Sequence, residues 1–167
     1  MPYTFTMIEP SQLKLTISCS KIIHKSSVLH PLARFVTEET LTILFNISPN
    51  EIYRIECYRH VAYLHAKTIS RFINYADFPP LLGLELPTNS DFSMWHKRWK
   101  RNIAPQFWTT FYTHQLTNAY SIAHLQEWGY FIGKIKSEFC PQALQQLRDI
   151  YALQKYWREN FSVISKH

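Results

Sequence analysis

A chain of 167 residues that is 46% hydrophobic and 18% charged has the composition of a globular protein, with enough residues for one core or two small ones. Its formal charge of +6 permits a polyanionic partner, and no apolar run reaches the roughly 18 to 20 residues that span a bilayer. The three isolated cysteines (Cys19, Cys57, Cys140) fit reduced thiols, and the first residues lack the basic start and apolar block of a secretion signal, so a cytoplasmic location is expected.

Residues 3 to 18 alternate on both sides of Glu9-Pro10-Ser11-Gln12, which predicts a short β-hairpin or extended arm over residues 1–20. Residues 21–77 read as helical. Within them Leu41, Leu44 and Phe45 recur at helical spacing, and Asn46 follows where a left-handed residue would turn the chain. Ser48 and Pro49 then signal a new helix, with Ile52 and Ile55 as its buried stripe and Pro49, Asn50, Tyr53 and Arg54 facing outward. Phe78-Pro79-Pro80 and Pro87 interrupt the helical pattern, predicting a Pro-rich linker over 78–90.

Helices return over 91–167. Asp91 can cap one carrying Trp95 and Trp99, and Pro105 opens another with Trp108, Phe111, Tyr112 and Leu116 on one stripe. Ile122, Leu125, Trp128 and Ile132 mark a third, and Pro141 starts a last helix bearing Leu144, Leu147 and Tyr151. The expected fold is mainly α: a helix-turn-helix domain over 21–77, then an aromatic-rich helical domain over 91–167 for dimerisation or partner binding.

The stretch V-T-E-E-T-L-T-I-L-F-N-I-S-P-N-E-I-Y-R-I-E, Val36 to Glu56, resembles the helix-turn-helix of the Cro-like (XRE) phage-repressor family. That family's common pattern is L-T-Q-E-E-L-A-x-x-L-G-I-S-x-x-x-I-S-R-I-E, followed by a basic loop and two closing helices. The resemblance covers Leu29 to Asp77, with Cys57 to His60 at the loop position and His65 to Asn74 at the closing helices. It implies a reading helix from Pro49 to Cys57, in which Pro49, Asn50, Tyr53 and Arg54 face base edges and Arg59 and His60 touch phosphates. Thr42 stands where the family has a small Ala and Asn46 where it has the turn Gly, while Glu38 and Glu51 put carboxylates on the DNA side.

Charge qualifies that expectation. From Leu29 to Asp77 five Lys or Arg face five acidic residues, so this stretch supplies little of the phosphate neutralisation on which DNA affinity rests. The surplus lies in His96-Lys97-Arg98-Trp99-Lys100-Arg101, where Lys97, Arg98, Lys100 and Arg101 are further phosphate-contact candidates beside indole rings. The three glycines (Gly83, Gly129, Gly133) belong to no phosphate-cradling loop. Nor do the eight histidines form a metal or catalytic spacing, so no catalytic, metal or cofactor site is expected. The leading expectation is a homodimeric, sequence-specific regulator of double-stranded DNA. Its rivals are a protein-interaction adaptor or inhibitor that uses the same shape without DNA, and a binder of RNA or single strands through Trp95 to Arg101.

Overall fold

A computed structural model describes residues 20 to 161; the expected N-terminal arm or hairpin therefore lies almost wholly outside the described residues. Strand β1 (Ile22–His24) runs parallel to β2 (Ile52–Cys57), and β3 (Val61–Ala66) and β4 (Ser70–Asn74) follow antiparallel in the order β1-β2-β3-β4. Helix α1 (Glu38–Phe45) lies in the crossover between β1 and β2. Four helices complete the described chain: α2 (Asn89–Trp99), α3 (Gln106–Thr117), α4 (Ile122–Lys134) and α5 (Pro141–Phe161).

The mainly-α, helix-turn-helix expectation is thus corrected to a mixed α/β fold in which helices predominate. Up to Asn46 the local reading and the structure agree. Thr37 caps α1 by accepting from the Thr40 amide at 3.1 Å, and Asn46 ends it in the left-handed region at φ 51°. Beyond that point they part. Ser48 and Pro49 start only a three-residue 3-10 turn (Pro49–Glu51), in which the Glu51 carboxylate accepts from the Ser48 amide at 2.6 Å. The chain then extends into β2.

A bulge accounts for the difference. Ile52 faces Ala66 but Arg54 faces His65, so Tyr53 is an extra residue in the ladder. Two outward side chains consequently separate the buried Ile52 and Ile55, which mimics the three-residue spacing of a helix inside a strand. The expected closing helices are β3 and β4. In β3 the buried Ala62, Leu64 and Ala66 alternate with the half-buried Val61, Tyr63 and His65, a period of two.

One side of the sheet packs into the core and the other faces solvent. Ile55, Cys57, Leu64 and Ile73 join Leu32, Phe35, Leu41 and Phe78 and the helical residues Trp95, Trp108, Phe111 and Tyr112 in one hydrophobic cluster. Its rings meet edge to face: Trp95 and Trp108 at 5.1 Å, Trp99 and Trp108 at 4.8 Å. The segment expected as a linker is fastened to this cluster by hydrogen bonds. Trp95 Nε1 donates to the Phe78 carbonyl at 3.2 Å, and the Tyr112 hydroxyl donates to the Pro80 carbonyl at 2.8 Å. No described helix is long and apolar enough to cross a membrane.

Candidate nucleic-acid interface

Where helix α2 meets the 3-10 turn that follows β4 (Tyr75–Asp77), a cleft of about 380 Å³ is lined by His30, His60, Asn74, Lys97, Arg98 and Lys100, with Leu32, Ala76 and Met94 as its apolar wall. Helix geometry explains the cations. Trp95 is fully buried and Trp99 packs on Trp108, so Lys97 emerges on the opposite side of α2 and Arg98 on its flank. Lys100 is the left-handed C-cap at φ 58°, which breaks the helix beside the cleft. Cations in the last turn also suit the helix dipole.

The cations differ in how far they are already engaged. Arg98 is held by Asp77, with Nε to Oδ1 at 3.0 Å and a second nitrogen to Oδ2 at 3.2 Å, a fork that keeps the guanidinium charged. Among the described residues Lys97 and Lys100 have no carboxylate within ion-pair distance. His30 stacks on Tyr75 and its Nδ1 accepts from the Leu32 amide at 3.1 Å, leaving Nε2 as the donor of the neutral ring. Burial first, then the neighbouring His60, push the His30 pKa below its ordinary value, while Asp91 pulls the other way. The cleft therefore offers two unpaired ammonium groups and imidazole donors beside a guanidinium already paired with Asp77, a set in which the lysines are the groups free to meet phosphate oxygens.

The cleft lies at the end of the sheet where β4 finishes and β3 begins. Asn74 lines it, and Phe72, two residues earlier on β4 and about 7 Å along the strand, projects from the same side. Phe72 is 64% exposed and Tyr53, at the bulge, 61%. Register places Ile23, Glu56, Tyr63 and Phe72 in one row across the four strands, and the Tyr63 and Phe72 rings meet edge to face at 4.6 Å.

Glu56 sits in that row nearly covered by its neighbours. Arg54 Nε lies 3.2 Å from its carboxylate, the Tyr58 hydroxyl donates to it at 3.0 Å, and His65 Nε2 and Lys25 Nζ stand at 3.4 and 3.9 Å. Desolvation alone would raise its pKa. The Tyr58 hydrogen bond, the charges of Arg54 and Lys25 and the His65 contact outweigh it, so the carboxyl is held below its ordinary value. The only carboxylate in that row is thus surrounded by positive and donor groups.

The sequence-predicted residues divide accordingly. His60, Lys97, Arg98 and Lys100 come together in the cleft; Arg59 is in the β2–β3 turn beside His60, and Arg101 follows the C-cap, both outside the lining. Tyr53 and Arg54 lie on the sheet, and Pro49 and Asn50 at the far end of β2 from His60. They do not form a reading helix. Trp95 and Trp99, beside the basic cluster in sequence, anchor α2 in the core; the exposed rings of the sheet are Tyr53 and Phe72, with half-buried Tyr63, while Tyr120 and Tyr130 at α4 are more exposed still. The signal that could have found Tyr63 and Phe72 is the alternation of residues 61–74. No protein-family model, curated protein or solved structure matches the chain.

Proposed function

We propose that the protein binds single-stranded nucleic acid, with backbone phosphates in the cleft of Lys97, Lys100, His30 and His60 and bases stacked on Phe72, Tyr63 and Tyr53. The observation that carries this reading is Phe72: a large ring 64% exposed on an open sheet, next to a cleft with two unpaired lysines. Stacking on aromatic platforms beside a positively charged groove is the general means of gripping single strands with little sequence preference. A duplex hides its base faces, and the element expected to enter a major groove, Pro49 to Cys57, is a turn and a strand. This role would place the protein with cellular nucleic acid, in the cytoplasm.

Fluorescence anisotropy with a labelled mixed-sequence oligonucleotide tests the reading, in single-stranded and duplex form at low salt. The single strand is expected to bind more tightly, and Phe72→Ala to weaken it about tenfold or more without lowering the melting temperature. Equal affinity of Phe72→Ala and the parent chain would remove the stacking platform. A preference for the duplex would favour a DNA regulator instead.

A further inference from the structure

A second hollow, sharing no residue with the cleft, lies among α3, α4 and α5. It measures about 340 Å³, within the range of small-ligand pockets. Its walls are apolar: Leu116 from α3, Ile132 from α4, Leu144 and Leu147 from α5. Two glycines of α4, Gly129 and Gly133, lie one turn apart along its floor, although glycine disfavours a helix interior. Packing explains the first. A Cβ at Gly129 would stand 2.5 Å from the Tyr151 ring, so α5 can approach only where that position is bare.

Packing does not explain the second. A Cβ at Gly133 would meet nothing within 4 Å, and the residue lines the hollow. At the rim stand Lys136 and Arg148, and among the described residues neither has a carboxylate within ion-pair distance. An apolar trough with a bare floor and two free cations at its mouth complements a ligand with an alkyl body and an anionic head. The guanidinium fork of Arg148 matches a carboxylate or a phosphate, with Lys136 adding a second charge.

We infer that the hollow between α3, α4 and α5 is a binding site for a medium-chain alkyl anion, its chain lying over Gly133 and its head on Arg148 and Lys136. The site stands independently of nucleic-acid binding. Calorimetric titration of the full chain with decanoate, decyl phosphate, decanol and decyltrimethylammonium, all below their micellar concentrations, tests it. The anions are expected to bind with one-site stoichiometry and to raise the melting temperature. Their relative affinity tells a carboxylate from a phosphate ligand, and the ammonium amphiphile should not bind.

Gly133→Leu puts a side chain into the hollow from a Cβ position that meets no other atom and favours the helix, so it should fold at least as well as the parent and lose the response to both anions. Arg148→Ala should weaken decanoate at least tenfold while leaving any weak decanol binding unchanged. No anion binding to the parent, equal binding of all four amphiphiles, or unchanged decanoate affinity in Gly133→Leu would each overturn the assignment.

Discussion

Asp91 is 2% exposed and answers to two neighbours at once. One oxygen takes a guanidinium nitrogen of Arg34 at 2.5 Å and the Thr88 amide at 2.9 Å, while Thr88 Oγ1 accepts from the Asp91 amide at 3.2 Å to complete a capping box. Arg34 also donates to the carbonyls of Pro31, Glu85 and Leu86, so the pair joins the start of α2 to the turn after β1. Asp91→Ala leaves a half-buried guanidinium without its counter-charge and is expected to cost about 3 kcal/mol in chemical denaturation. Acid should erase the difference from Asp91→Asn. Burial alone would raise the Asp91 pKa, but the hydrogen bonds from Arg34 and Thr88 and the Arg34 charge outweigh it and hold the carboxyl below its ordinary value. A carboxyl lowered by folding stabilises above its unfolded pKa and loses that contribution as pH falls through the folded one. Parent and Asp91→Asn should therefore converge only below about pH 4, and equal stability at neutral pH would dismiss the ion pair as a stabiliser.

Among the elements, α3 holds the proline segment in place. Tyr112 is fully buried, and burial raises its pKa well above 10, so its hydroxyl remains a donor to the Pro80 carbonyl throughout the working pH range. Tyr112→Phe keeps the ring and leaves that carbonyl unpaired, which should lower the unfolding free energy by about 1 to 2 kcal/mol. A cost near zero would mean that the proline segment is held by packing alone. Such elements were unevenly legible. The turn at Asn46 followed from local chemistry, because few residues accept positive φ and short polar side chains are among them. Strand β2 did not, because its bulge spaces Ile52 and Ile55 like a helix and no local rule announces a bulge. The alternation of Val61 to Ala66 is present in the sequence, but it spans only six residues and follows a longer repressor-like pattern of helical spacing. Convergence of His60 with Lys97 and Lys100, 37 and 40 positions apart, depends on tertiary packing that no window of sequence contains.

For the whole molecule, the question is how the cleft and the sheet divide the work of holding a strand, and salt separates them. Each phosphate neutralised on a single strand contributes about −0.7 to the slope of log affinity against log salt. If Lys97 and Lys100 each meet one phosphate, the double variant Lys97→Ala/Lys100→Ala should shallow that slope by about 1.4. Phe72 and Tyr63 carry no charge. Replacing Phe72 by Ala should lower affinity by about 1 to 3 kcal/mol at every salt concentration and leave the slope unchanged. Glu56 provides the third arm. Its carboxylate is what Arg54 and Lys25 neutralise, so Glu56→Gln raises the positive charge of the sheet face by one unit and should steepen the slope if the strand crosses the row from Ile23 to Phe72. A strand confined to the cleft would leave the Glu56→Gln slope unchanged and the Phe72→Ala affinity intact. Isotherms at four salt concentrations for the parent and these three variants therefore determine whether the open sheet takes part in binding or only borders the cleft.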